Sequence, residues 1–205
     1  MEKLDFLKKY KELYSPSSKE VVVVEVPTFN FLMIDGSGNP NTSKEYQEAI
    51  STLYTVSYTL KFMIKKSKQA IDYTVMPLEG LWWADEMSSF LASDKDKWKW
   101  TAMIMQPPDI ITESLVKEAL DKAKTKNPPS ISKIRFGTLA EGKAAQIMHF
   151  GSYAEEGPTI KRLHDFITQN GFELAGKHHE VYLSDPRRSA PETLKTVIRQ
   201  AVKPK

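Results

Sequence analysis

The chain has no cysteine, and this excludes disulfide cross-links, thiolate nucleophiles and Cys-ligated zinc or iron–sulfur centres. A metal would have to be held by carboxylates and by only four histidines. No segment approaches the ~20 consecutive apolar residues of a membrane-spanning helix, and the start, Met1-Glu2-Lys3-Leu4-Asp5, lacks the apolar stretch of a secretion signal. A cytoplasmic protein without a membrane partner is the expectation. P-loop, G-x-G-x-x-G and G-x-S-x-G patterns are also missing, and Gly36-Ser37-Gly38 is too short to be more than a turn. Nucleotide and phosphate cofactors therefore find no support. The 29 basic and 26 acidic residues, net +3, are spread along the chain and form no basic stripe with interleaved aromatics, so nucleic acid is not expected as a partner.

What is present reads as an ordinary α+β pattern. Leu4 to Tyr14 has helical spacing and ends at Ser15-Pro16-Ser17-Ser18, a short leading helix and a hinge. Val21 to Val26 and Phe29 to Ile34 are apolar and partly β-branched, with Pro27 between them marking an edge or bulge. Gly36 to Asn41 reads as a loop, and Ser43 caps a long helix whose apolar positions run from Tyr46 to Ile64. Strands are expected at Asp72 to Met76, Leu81 to Ala84 and Trp98 to Met105, then a helix over Thr112 to Lys124. Further strands are expected at Ile134 to Leu139 and Ala144 to Phe150, a helix from Pro158 to Asn170, and strands at Glu180 to Leu183 and Leu194 to Ala201. The order β-α-β-β occurs twice. One domain over 1–205 is expected, with a leader at 1–18 and repeats at 19–129 and 130–205.

Three stretches can carry chemistry. All four tryptophans fall within Trp82 to Trp100. Strand alternation sends Trp98 and Trp100 to one face and splits Trp82 from Trp83, with Glu79 on the side of Trp83. Core packing is the simplest role for indoles, but a carboxylate beside an indole wall is costly without a polar or charged visitor. The second stretch is His178-His179-Glu180-Val181-Tyr182-Leu183. It puts His178, Glu180 and Tyr182 on one face, toward a cavity or solvent, and Val181 and Leu183 toward the core. A glutamate with its pKa raised by apolar walls, and a tyrosine hydroxyl to position water, make a general-base pair; an exposed polar strand face is the bland alternative. A metal site from His178, Glu180 and His149 has no H-E-x-x-H spacing behind it. The third stretch, His149 to Thr159, is a strand-to-helix turn in which Glu155 and Glu156 read as helix caps and Tyr153 as a pocket rim.

The run HFGSYAEEGPTIKRLHDFITQNGFELAGKHHEVYLSDPRR, with its E-x-Y-x-x-D-P strand, resembles the C-terminal half of GyrI-like small-molecule-binding proteins, and FLMIDGSGNPN, LEGLWW and WKWTAMIMQP are similar to the stand-alone subgroup of that family. The resemblance implies a duplicated β-α-β-β (SHS2-type) fold of the SOUL/GyrI-like kind, with an antiparallel sheet and an aromatic-lined, acidic ligand cleft between the repeats. It implies lipophilic, planar or cationic small molecules as partners and no cofactor. In some stand-alone members it implies hydrolysis of cyclopropanoid alkylating compounds. Carried over by position, Glu180 and Tyr182 are the catalytic candidates, and Glu79, Trp82, Trp83, Trp98, Trp100, Tyr153 and His178 the ligand-binding ones. No helix-turn-helix or coiled-coil pattern leads the domain, so direct transcriptional control is not expected. Alternatives of other classes are a module that sequesters ligands without turnover, a protein-interaction role, which the net charge of +3 disfavours if an acidic DNA-mimicking surface is required, and tetrapyrrole binding through His149, His164, His178 or His179.

Overall fold

The computed structural model describes residues 2–85 and 95–205. In chain order the elements are β1 (Glu2–Leu4), α1 (Phe6–Lys9), α2 (Lys11–Tyr14), β2 (Val22–Val26), β3 (Phe29–Ser37) and α3 (Lys44–Lys66), then β4 (Ile71–Tyr73), β5 (Leu78–Trp83) and β6 (Lys99–Gln106). They continue with α4 (Glu113–Ala123), β7 (Arg135–Leu139), β8 (Gly142–Phe150), α5 (Gly157–Gln169), β9 (Phe172–Tyr182) and β10 (Lys195–Pro204). The fold is α+β, a large antiparallel sheet with few helices. Two compact units divide the chain, one from the described parts of 1–9, 29–78 and 82–139, the other from 10–28, 79–81 and 140–205.

In the first unit β3 lies between β6 and β7, antiparallel to both. α3 forms because Tyr46, Ala49, Leu53, Val56, Leu60 and Ile64 recur at intervals of three and four and are all buried. The Ser43 side chain starts the helix by accepting a 3.2 Å bond from the Tyr46 amide. Gly36 and Ser37, expected in a loop, extend β3 instead. Gly36 pairs with Trp100 across the ladder, and a Cβ there would lie 2.3 Å from the Trp100 ring, so glycine is what lets the indole lie flat on the strand. β4 is also shifted from the expected Asp72 to Met76. It pairs in parallel with β1, which takes Leu4 out of the expected leading helix.

That helix is further broken at Tyr10 into α1 and α2. Phe6 is buried within the first unit, and Leu13 and Tyr14 within the second.

In the second unit the hydrogen-bonded order is β2, β8, β10, β9, then Glu79–Leu81 of β5. β8 and β9 are both antiparallel to β10, and β2 is antiparallel to β8. α5 covers one face: Leu163 and Ile167 pack on Ala145, Ile147, Ile198 and Val202. β9 begins eight residues before the expected Glu180. Its first half is irregular, with Gly176 at φ 63° and a register shift between Gln200 and Val202. The bulge ends before His178, so alternation from His178 to Tyr182 is unbroken.

Candidate functional site

Residues opposite one another in a ladder share a face. Glu180 pairs with Ile198, His178 with Gln200 and Tyr182 with Thr196, which puts the expected trio on the face that carries α5. Its members bind one another. His178 Nε2 lies 2.9 Å from Glu180 Oε1, and Tyr182 donates its hydroxyl to Glu180 Oε2 at 2.7 Å. The Glu180 side chain is only 12% exposed, so this is not a solvated strand face. Tyr153, in the turn before α5, meets Tyr182 edge-on with centroids 5.5 Å apart, and the expected rim tyrosine joins the trio.

The same turn supplies a residue that sequence reasoning assigned to another role. Glu155 does cap, accepting from the Ser152 amide and hydroxyl at 3.0 and 2.7 Å. Glu156 makes no cap bond; it is 4% exposed and is among the influences that hold down the pKa of Glu180. A hydrophilic residue beside a helix start looks like a cap in sequence, and only the fold of the turn over β9 separates the two glutamates. His164 on α5 is part-buried; burial, and then the charge of His178, lowers its pKa and keeps it neutral.

The expected raised pKa of Glu180 is not found. Burial is the largest single influence and does push it up, but bonding and charge from His178, with the bond from Tyr182 and the influence of Glu156, together outweigh it and hold Glu180 below the usual carboxylate range. Glu180 is therefore an anion at neutral pH, bonded to His178 and to Tyr182, whose ring packs against Tyr153.

Glu79 is held on the opposite face of the second unit, in a cluster that the sequence did not reveal. His179, 1% exposed, places Nε2 2.9 Å from Glu79 and Nδ1 3.1 Å from both oxygens of Glu141. A carboxylate only accepts, so an imidazole bonded at both nitrogens to carboxylates carries both protons. Burial alone would lower its pKa, but Glu141 and then Glu79 raise it to about 9. Burial would likewise raise Glu141, yet His179 and then Arg199 hold it at about 2. Arg199 also donates to the Leu13 carbonyl at 2.8 Å, Gln146 to the Glu12 carbonyl at 2.6 Å and the Tyr14 hydroxyl to Glu79 at 3.0 Å. Burial, and then the charge of Glu79, keeps Tyr14 protonated. With two cations, two anions and every partner inside the protein, Glu79 is engaged in structure.

In the first unit, Trp100 and Trp82 are buried against Tyr46, with centroids 5.0 and 5.5 Å away, and Trp98 meets Trp82 edge-on at 5.8 Å. Trp83 and Trp98 keep partial exposure. Trp82 and Trp100 thus serve the core, and Trp83 and Trp98 retain accessible ring surface. Two surface grooves, about 770 and 630 Å³, lie elsewhere; Phe62, Met63 and Leu115 line one, and Pro158, Arg162 and Phe166 the other.

Three of the four imidazoles are committed within the protein: His149 to Thr159 and the Ser152 carbonyl, His178 to Glu180, and His179 to two carboxylates. They offer little to a haem iron. Among the described residues no group of three or more histidines and carboxylates is spaced to hold a metal ion, and no described helix is long and apolar enough to cross a membrane.

No curated protein sequence matches the chain. An uncharacterised conserved protein from Listeria innocua is similar in structure, with TM-score 0.89 and 38% identity, the match covering 98% of this chain and all of that one. Two structures described as a hydrolase from Listeria innocua match over the same shares, at 37% and 36% identity with TM-scores 0.87 and 0.84. The isolated C-terminal domain of EcmrR, at 11% identity and TM-score 0.56, shares the fold. Residues 19–203 match the GyrI-like small molecule binding domain, and with the E-x-Y strand folded as described, the chain belongs to the GyrI-like family.

Proposed function

We propose that the chain binds lipophilic, planar or cationic small molecules at Glu180 and hydrolyses cyclopropanoid electrophiles there. The observation that carries this reading is the partly buried Glu180 carboxylate held between His178 and Tyr182, with Tyr153 packed edge-on against Tyr182. An ionised, poorly solvated carboxylate next to aromatic rings attracts a cation or a carbon bearing partial positive charge. Water bonded to Glu180 is poised to attack such a carbon, with Tyr182 holding the carboxylate in place. The related Listeria structures described as hydrolases support turnover. Trp83 and Trp98 are retained as ligand-contact candidates because their rings keep accessible surface. We place the protein in the cytoplasm, with neither nucleic acid nor membrane as its partner.

A second reading, binding without turnover, is favoured by the lowered pKa of Glu180. A carboxylate that holds its charge so firmly is a good counter-ion and a weak base. One experiment separates the two. Wild type, Glu180→Gln and Tyr182→Phe are incubated with a cyclopropanoid alkylator and ring opening is followed by mass-resolved chromatography, while calorimetry with rhodamine 6G measures cation binding. Turnover by wild type, lost in Glu180→Gln by a factor on the order of 100 or more, supports the enzyme. Dye binding that weakens in Glu180→Gln without turnover by any variant supports the binding module. Dye binding and reaction rates unaffected by either substitution remove Glu180 and Tyr182 from the function.

A further inference from the structure

His149 lies near the end of β8, on the face of the sheet that carries α5. In the register it is opposite Thr196 of β10, and Thr196 is opposite Tyr182 of β9, so the three side chains form one row on that face. The imidazole, 5% exposed, is held at both nitrogens: Nε2 lies 3.2 Å from the Ser152 carbonyl and Nδ1 3.0 Å from the Thr159 hydroxyl. A carbonyl only accepts, so Nε2 carries a hydrogen and donates it. Ser152 is in the turn before α5 and Thr159 in the first turn of α5 itself. One ring therefore ties the end of β8 to both.

The turn around this tie has a fixed shape. Gly151 has a φ of 132°, and a Cβ there would lie 3.1 Å from His149 Nε2 and 3.3 Å from Glu155 Oε2, so glycine is what lets the ring approach. The Gly151 amide donates to the Leu194 carbonyl at 3.1 Å. Glu155 closes the other end by accepting from the Ser152 amide and hydroxyl. Tyr153 is enclosed between these points. Its ring meets Tyr182 edge-on, and Tyr182 donates to Glu180.

We propose that His149 is a positioning residue for the Glu180 site: by holding the Ser152 carbonyl it fixes the turn that sets Tyr153 against Tyr182, and so shapes the aromatic rim that receives a lipophilic cation or planar ring. A buried apolar ring would fill the same space without two polar nitrogens to satisfy, so the histidine is explained by what its nitrogens hold. The function given to the rim rests on the reading of the Glu180 site above; the tie itself does not.

The test uses the full-length protein and three variants: His149→Phe, which keeps a ring and removes both nitrogens, His149→Gln, whose amide can still donate to the Ser152 carbonyl, and Tyr153→Ala. Nuclear magnetic resonance of the histidine nitrogens should show Nε2 of His149 protonated at neutral pH. Ring-to-ring Overhauser contacts between Tyr153 and Tyr182 should be present in wild type, lost in His149→Phe and kept in His149→Gln. Rhodamine 6G binding, followed by calorimetry, should weaken about tenfold in Tyr153→Ala and nearly as much in His149→Phe, with most of the loss recovered in His149→Gln. His149→Phe combined with Tyr153→Ala should lose no more than Tyr153→Ala alone, because both changes remove the same contact; a histidine that served only stability would give additive effects. Circular dichroism confirms that each variant is folded. A bare Nε2, Tyr153–Tyr182 contacts unchanged in His149→Phe, or strict additivity in dye binding overturns the inference, and the wild-type nitrogen spectrum decides even if His149→Phe does not fold. Should wild type bind no dye, the reading of the Glu180 site fails, whereas the nitrogen state and the Overhauser contacts still decide whether His149 holds the turn.

Discussion

At the scale of single residues, the two histidines next to each other in β9 have opposite assignments because strand alternation turns them to opposite faces. His178 faces the Glu180 site, and His179 is sealed between Glu79 and Glu141. The stability held by His179 depends on pH in a definite direction. Its folded pKa, about 9, lies above the ordinary histidine value of 6.5, so the folded state binds a proton that the unfolded chain releases between these values. The contribution, roughly 3 kcal/mol by the size of that shift, is fully present below about pH 6.5 and is lost as pH rises through about 9. Glu141, held at about 2, reports the same interaction from the other partner and is not added to it. Urea unfolding from pH 6 to 10 should show this decline in wild type and a flat profile in His179→Gln. The substitution itself should cost about 3–5 kcal/mol at pH 7, because it leaves two buried carboxylates facing a neutral side chain. A wild-type profile that is flat over this range would contradict the imidazolium assignment.

At the scale of elements, what the sequence made legible followed from regular periodicity. α3 could be read from Ser43 and the three-and-four spacing, and the His178, Glu180, Tyr182 face from simple alternation, because neither pattern is interrupted. Interrupted patterns failed. Gly176 and the shifted register hide the first half of β9, and a break at Tyr10 hides the division of the leading helix into α1 and α2. Gly36 misled for a different reason: glycine signals a turn locally, and here it is required by a ring from another strand. Replacing it should expose that requirement. A Cβ 2.3 Å from the Trp100 ring cannot be accommodated without moving a side chain that is fully buried, so Gly36→Ala should destabilise by about 1–3 kcal/mol, with a changed near-ultraviolet signal from the indole. A double change that also shortens the indole, Gly36→Ala with Trp100→Leu, should lose less than the sum of the two single effects. Strict additivity would mean that the strand and the ring do not constrain each other.

At the scale of the whole molecule, the family match begins at residue 19, whereas the second unit is closed by residues that precede it. Leu13 is fully buried, Tyr14 is 4% exposed, and Arg199, Gln146 and Glu79 bind the backbone at Glu12 and Leu13 and the Tyr14 hydroxyl. These long-range partners were not legible in the sequence, since a short amphipathic segment followed by Ser15-Pro16-Ser17-Ser18 reads as a detachable leader. Without it, the guanidinium of Arg199 and the carboxylate of Glu79 each lose a partner in a buried place, and the cavity left by Leu13 alone is worth about 2–5 kcal/mol. A chain that starts at residue 19 should therefore unfold at markedly lower urea than the full chain, by on the order of 5 kcal/mol. A peptide spanning residues 1–18, added in excess, should restore part of the loss, because the surface that receives it belongs to the folded unit. Equal urea midpoints for the two chains would show that the buried cluster is held by the sheet alone and that residues 12–14 follow its fold without supporting it.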